Sequence, residues 1–282
     1  MSEAPDERRL FDLLASFDSV VVAFSGGVDS AYLAWAATEV LGQSRALCIT
    51  ADSPSYPEHH RQLAVSVARQ ANLQHEFIHT GEIDRPDYRA NPTNRCYYCK
   101  QELYASLSAL AATRGFQTIV DGSNADDRGD YRPGRQAARE FGVRSPLDEA
   151  NLTKTAIREL SRRAGLATWD EPASACLSSR IPYHSEVTPE KLRLIERAET
   201  RLRDLGFRVC RVRHHGQEAR VEIGPDELAR ALEADTREQI IRELKGLGYQ
   251  DITIDPRGYR MGSLNEGIRV RLVVDGRLAV GG

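Results

Sequence analysis

No stretch of this chain approaches the roughly 18 consecutive apolar residues that a membrane-spanning helix needs. The first residues, Met1-Ser2-Glu3-Ala4-Pro5-Asp6-Glu7, lack the basic-then-apolar order of a signal peptide. These two absences predict a cytoplasmic protein with no membrane partner. Charge of one sign is scarce as well: 38 Lys and Arg stand against 41 Asp and Glu, a net charge of −3. With a pI near 6.2 and no basic arm, no nucleic-acid partner is expected. Cysteine is sparse, five in 282 residues, and the number is odd. In a reducing compartment that points to thiol, metal or cluster chemistry more than to disulfides. The rest is ordinary: 41% hydrophobic and 28% charged residues, in a chain long enough for one large domain or two modest ones.

The organising stretch runs from Val20 to Ser30, where the apolar Val20-Val21-Val22-Ala23-Phe24 breaks into Ser25-Gly26-Gly27-Val28-Asp29-Ser30 and then opens Ala31-Tyr32-Leu33-Ala34-Trp35. It reads as strand, phosphate loop, helix. Two adjacent glycines let the backbone turn tightly against an anion, Ser25 and Ser30 supply hydroxyls, and the helix start supplies unpaired N–H groups and a positive dipole end. No Gly-Lys-Ser/Thr follows, so the loop is not of the Walker type. Asp29 is a candidate Mg²⁺ ligand, because a hard cation bridging phosphates takes oxygen donors.

Periodicity places a helix over 7–16, a strand over 46–51, a helix over 57–72, a strand over 75–80, a helix over 100–114 and a strand over 117–121. Alternating strands and helices imply a parallel sheet with helices on both faces, and ligands beyond the strand carboxyl ends. Polar residues stand at three such ends: Ser25 to Ser30, Asp52-Ser53, and Asp121-Gly122-Ser123-Asn124. Asp126 and Asp127 are further carboxylates that either join a metal site or are simply solvated. Thr153 is positioned to cap a helix that begins at Lys154.

Cys96-Tyr97-Tyr98-Cys99 puts two thiols within reach of one metal or cluster, and Cys176 follows. Three readings stay open: a 4Fe-4S cluster on three cysteines with one exposed iron, a structural zinc that borrows His79 or His184, or separate roles for the pair and for Cys176. Cys48 and Cys210 read as structural. Beyond residue 185 the pattern gives a helix over 189–205, strands over 207–213 and 219–223, helices over 226–232 and 237–247, and a strand over 249–254, a small α+β domain. Arg211 and Arg213 alternate on one strand face, a pairing that suits a phosphate or else a solvated face. His214 and His215 are expected at the surface.

Ser25 to Ser30 resembles the PP-loop of the N-type ATP pyrophosphatases, which cut ATP between the α and β phosphates. Further stretches sharpen the resemblance over nearly the whole chain. They are Asn94 to Lys100, Asp121-Gly122-Ser123-Asn124 with Asp130-Tyr131-Arg132-Pro133-Gly134, Ala175-Cys176-Leu177-Ser178-Ser179-Arg180-Ile181-Pro182, and Tyr259-Arg260-Met261-Gly262-Ser263-Leu264-Asn265. Together they are similar to the LarE family, sulfur transferases of nickel-pincer nucleotide biosynthesis for lactate racemase. The resemblance implies a PP-loop domain over 1–184 and a C-terminal α+β domain over 185–282 for substrate binding and oligomerisation. It implies adenylation of the carboxylates of pyridinium-3,5-biscarboxylic acid mononucleotide with ATP and Mg²⁺, and their conversion to thiocarboxylates.

Carried over residue by residue, the resemblance puts Ser25, Gly26, Gly27, Asp29, Ser30 and Lys154 at the nucleotide, with Lys154 facing the phosphates, and Asp52 joins them by its place at the end of the second strand. Arg211 and Arg213 are assigned to the substrate phosphate. Arg180, four residues after Cys176, either neutralises charge on the adenylate, lowers a thiol pKa or is a surface arginine, and Glu199 and Glu222 resemble acidic positions of the site or of a subunit interface, or else form ordinary salt pairs. One variant of the family sacrifices the sulfur of a lone cysteine at the position of Cys176. The other holds a 4Fe-4S cluster on cysteines matching Cys96, Cys99 and Cys176, the pattern present here. A homo-oligomer such as a hexamer is implied too. The competing readings are a cluster-dependent tRNA thiolase, an amidotransferase-type synthetase, and a regulator that senses ATP without turning it over.

Overall fold

A computed structural model describes residues 5–129, 133–172 and 175–260. Asp130, Tyr131, Arg132, Ser174 and the Met261 to Asn265 stretch lie outside the described residues. The chain divides into two compact units, Met1–Ser174 and Ala175–Gly282.

In the first unit α1 (Pro5–Ala15) leads into β1 (Val20–Ala23), α2 (Val28–Leu41), β2 (Ala46–Asp52), α3 (Glu58–Gln70) and β3 (Gln74–His79). There follow α4 (Pro86–Arg89), α5 (Arg95–Arg114), β4 (Thr118–Val120), α6 (Gly134–Glu140), α7 (Pro146–Glu149) and α8 (Lys154–Arg163). The four strands form one parallel sheet in the order β3-β2-β1-β4. Val-Val-Val-Ala in β1 is buried on both faces, as a central parallel strand must be. Its side chains alternate between two cores. Val20 and Val22 pack with α1, α2, α3 and α8 through Leu10, Leu33, Val67 and Ile157, whereas Val21 and Ala23 pack with α5 and α6 through Tyr104, Leu107 and Ala137. The result is a three-layer α/β/α domain, the fold expected from the sequence.

The helix expected from residue 100 begins at Arg95, so Cys96 and Cys99 both lie on α5. Asn94 at the N-cap starts it, Tyr97 N–H donates to the Asn94 carbonyl, and the buried Arg95 side chain donates to Asn91 Oδ1. Gly115, with φ +77°, ends it in a left-handed cap.

The second unit holds α9 (Pro189–Asp204), β5 (Cys210–His215), β6 (Glu218–Ile223), α10 (Pro225–Leu232), α11 (Ala234–Lys245) and β7 (Asp251–Ile254). β6 pairs antiparallel with β5 and parallel with β7. Leu202, Val212, Val221, Ile240 and Leu244 are fully buried in one cluster, and each such side chain contributes about 1.5–3 kcal/mol. Thr188 caps α9, its hydroxyl accepting from Lys191 N–H at 3.4 Å. Strand pairing starts at Cys210 rather than Phe207, because the Arg208 and Val209 N–H groups are taken by the Glu227 carboxylate.

Candidate functional site

The nucleotide loop closes on itself. Phe24 N–H donates to the Ile49 carbonyl at 2.8 Å, and the chain then leaves the sheet. Ser30 Oγ accepts from Ser25 N–H and donates to the Gly27 carbonyl, both at 3.1 Å, with Ser25 Oγ also 3.1 Å away. Gly26 takes φ +70°, and a Cβ there would stand 2.8 Å from Ala64 Cα on α3. Only glycine allows that turn this close to another helix. Gly27 precedes α2 without a side-chain cap, which leaves the first-turn N–H groups to a ligand. From the end of β4, Gly122 comes so near that a Cβ on it would meet Ser30 N at 3.0 Å. Tyr56 Oη lies 2.9 Å from the Ser25 carbonyl.

Charge gathers over this loop. Asp29, in the first turn of α2, pairs with Lys154 Nζ, and Asn124 Nδ2 donates to Asp29 Oδ1 at 3.4 Å. Thr153 caps α8 as expected, accepting from Ala156 N–H at 3.3 Å, and Asp126 accepts from Lys154 N–H at 2.8 Å. Asp127 is buried and turned into its own loop, taking the Asn124 N–H at 3.1 Å. Asp52 pairs with Arg61 of α3. Asp121 points inward. Its carboxylate accepts from Tyr104 Oη and Ser145 Oγ, each at 2.8 Å, and from the N–H and hydroxyl of Ser123, each at 3.1 Å. Tyr56, Tyr104 and Ser145 escape a reading of motifs, because none stands in one. The nearest signal is Tyr104, a polar tip in the apolar stripe with Leu107 and Ala111.

Cys96 is exposed and Cys99 partly exposed. One turn apart at the start of α5, they share a face. No acidic residue stands in that first turn. Burial pushes the Cys48 and Cys210 thiols up to about 12, so both are packing residues, as expected.

In the second unit a short 3-10 turn, Leu177–Arg180, follows the partly exposed Cys176. Arg180 is 2% exposed. It forks onto Glu199 through Nε at 2.8 Å and Nη2 at 3.0 Å, while Nη1 donates to the carbonyls of Ala175 at 2.7 Å and Cys176 at 3.1 Å. Glu199 also accepts from Val212 N–H at 3.0 Å. Arg213 donates to Glu222 at 2.7 Å and to the Ser179 carbonyl at 2.9 Å. Arg211 lies with its guanidinium 5.1 Å from the centre of the Tyr259 ring. Burial, and then the charge of Arg180, lower the Arg211 pKa. Among the described residues, Arg180, Arg211 and Arg213 thus gather with Glu199 and Glu222, and Arg203 Nη1 stands 3.8 Å from Glu199 as well.

His214 is not at the surface. It shares its strand face with Cys210 and Val212, and α11 with its following turn covers that face, so His214 Nδ1 lies 3.1 Å from Tyr249 Oη. Burial lowers its pKa. His215 is exposed, as expected.

Burial alone would raise the Glu199 carboxyl, but the charge and hydrogen bonds of Arg180, with Arg211 behind, hold it below its ordinary 4.5. On acidification the unfolded chain therefore takes up this proton first. The pair's contribution is complete above about pH 4.5 and is lost as pH falls through the lower folded value. Circular dichroism of urea unfolding at successive acid pH values should show the loss in wild type and lack this component in Glu199→Gln.

A family model described as NAD synthase matches residues 14–93, which span the loop and the first three strands. An uncharacterized protein of Synechocystis sp. is 42% identical over 91% of this chain and 95% of its own length. An uncharacterized protein of Methanocaldococcus jannaschii is 30% identical over 86% of this chain and 90% of its own. The pyridinium-3,5-bisthiocarboxylic acid mononucleotide synthase of Lactiplantibacillus plantarum is 33% identical over 93% of this chain and 95% of its own. The chain belongs to the LarE family.

It is accordingly an ATP-using sulfurtransferase with a PP-loop domain. The LarE loop fits nucleotide and Mg²⁺ on its own geometry: glycines at 26 and 122 clear the cradle, uncapped N–H groups face it, and Asp29 offers carboxylate oxygens. Within each unit, no group of three or more His, Cys, Asp or Glu among the described residues is gathered to hold a metal ion. The paired thiols of Cys96 and Cys99, accessible and one helical turn apart, fit two ligands of an iron–sulfur cluster by donor chemistry. No described helix is long and apolar enough to cross a membrane.

Proposed function

We propose that this enzyme adenylates the carboxylates of pyridinium-3,5-biscarboxylic acid mononucleotide and converts them to thiocarboxylates. The observation that carries this reading is the glycine cradle of residues 25–30, closed by Gly122, with Asp29 and Lys154 brought together above it. The loop and the α2 N-terminus hold the β and γ phosphates, Lys154 adds positive charge, and Asp29 offers oxygen to Mg²⁺. A substrate carboxylate oxygen bonds to the α phosphorus as the bond to pyrophosphate breaks. The resulting acyl adenylate has a good leaving group where the carboxylate had none, so sulfur can add to the carbonyl carbon and AMP departs with the former carboxylate oxygen. Arg211 and Arg213, side by side on one face of β5, bind the phosphate of the mononucleotide. A 4Fe-4S cluster held by Cys96, Cys99 and Cys176 would supply the sulfide.

The test combines pyrophosphate release, measured with ATP and Mg²⁺ with and without the mononucleotide, and mass spectrometry of the product. Substrate-dependent pyrophosphate together with a thiocarboxylate product supports the reading, and a nucleotide sensor would release none. Iron and acid-labile sulfide are measured on protein purified without oxygen, beside Cys96→Ala and Cys176→Ala. Both are expected in wild type and absent from the variants. If wild type holds no iron after reconstitution, the sulfur comes from Cys176, and dehydroalanine at that position is the mark to find.

A further inference from the structure

Two features of the first unit stand apart in the chain and are joined by one buried side chain. The nucleotide loop lies at the carboxyl end of β1, and the cysteine pair lies in the first turns of α5. Tyr104, on α5 beyond Cys99, is fully buried and donates to Asp121 Oδ2 at 2.8 Å. Asp121 follows β4 directly, and its N–H is bonded to the Arg144 carbonyl at 2.9 Å. The next residue, Gly122, is the one that touches the start of α2 at Ser30. The chain of contacts therefore runs from loop to Gly122, to Asp121, to Tyr104, and a close-packed interior passes on small shifts. At the far end, Lys100 Nζ stands 5.4 Å from the Tyr104 ring. Burial, then the Asp121 carboxylate, then the charge of Cys99 raise the phenol pKa well above its ordinary value, so Tyr104 remains a donor.

We propose that Tyr104 is a positioning residue whose bond to Asp121 fixes the cysteine-bearing turns of α5 against the nucleotide loop, so that nucleotide in the loop alters the reactivity of the Cys96 and Cys99 thiols. The inference rests on the nucleotide reading of the loop given above. It accounts for a hydroxyl where the surrounding Leu107, Ala111 and Phe141 would accept a phenylalanine. Asp121 keeps three other hydrogen bonds without Tyr104, so Tyr104→Phe removes the link without stranding a buried charge.

The experiment uses the full chain with reduced, metal-free thiols. Alkylation rates of Cys96 and Cys99 are followed by peptide mass spectrometry with and without α,β-methylene ATP and Mg²⁺, and nucleotide affinity is measured separately by calorimetry. In wild type the nucleotide is expected to change at least one rate by about fivefold or more, the lower end of ordinary coupling between sites. In Tyr104→Phe the change should shrink below about twofold while affinity moves by less than about threefold. Ser145→Ala, which removes another donor to Asp121 from outside α5, should retain the full response, whereas a merely structural role would make the two variants behave alike. If Tyr104→Phe does not fold, Asp121→Ala, which removes the acceptor of the Tyr104 hydroxyl, is expected to lose the response in its place. A full nucleotide response in Tyr104→Phe, or nucleotide binding in wild type with no change at either thiol, overturns the inference alone. Absence of nucleotide binding in wild type overturns the proposed function, and this inference with it.

Discussion

Glu199→Gln is expected to destabilise the second unit by about 3–5 kcal/mol, the effect of removing one partner from a fully buried ion pair. The amide still fills the space and can still take the Val212 N–H, but Arg180 is left as a buried cation between the carbonyls of Ala175 and Cys176. For a unit of this size each kcal/mol lowers the midpoint of thermal unfolding by about 4–8 °C, so the drop in a calorimetric scan should exceed roughly 12 °C. The paired change Arg180→Met with Glu199→Leu removes both charges and is expected to recover part of the loss, the remainder being held back by the Val212 N–H, which loses its acceptor. A loss below about 1 kcal/mol for Glu199→Gln would mean that water reaches the pair and that its burial carries little energy.

Gly26→Ala is expected to weaken ATP binding by at least about tenfold and to lower stability by about 2–3 kcal/mol, more than a left-handed backbone alone accounts for. The backbone term is about 1–2 kcal/mol. The remainder is contact, because the new methyl group would lie 2.8–2.9 Å from backbone and Cβ atoms of Ala64, and neither the loop nor α3 can yield without opening the cradle. Gly115→Ala isolates the backbone term. Gly115 has φ +77° at the end of α5 with nothing within 4 Å of a Cβ, so its substitution should lower stability and leave ATP binding intact. Equilibrium dialysis with ATP and urea unfolding of both variants decide the matter. Equal ATP binding in the two would remove Gly26 from the nucleotide site.

The features legible in the sequence were those with local causes. The apolar run of β1, the two glycines that follow it, and Thr153 before α8 each state their conformation within a few residues, and the structure places them as expected. Cys96 and Cys99 were legible as a pair, but their helix was not. Arg-Cys-Tyr-Tyr-Cys has no apolar helical spacing and, apart from Arg95, no strong helix former, and the helix starts there with the buried Arg95 side chain bonded to Asn91. His214 shows the opposite limit. Alternation places it on the face of Cys210 and Val212, but only the packing of α11 and Tyr249 shows that this face is covered. Partners across long separations leave no local pattern. Lys154 meets Asp29 because α8 packs against α2, and Tyr104 meets Asp121 because α5 folds back along β4.

The order of strands in the sheet governs how the first unit comes together in time. β4 is the last strand of its sheet to be synthesised, yet it docks on β1, the first, and the Gln117 N–H reaches Ser19 Oγ across 98 residues. Closing so long a loop is entropically mild, since each doubling of length adds only about 0.6 kcal/mol, but contacts so distant in sequence slow folding. The cradle is complete only when that closure has brought Gly122 onto Ser30. Nucleotide can then grip the chain only after the slow search is over, and it holds the finished domain by retarding its unfolding, without hastening its formation.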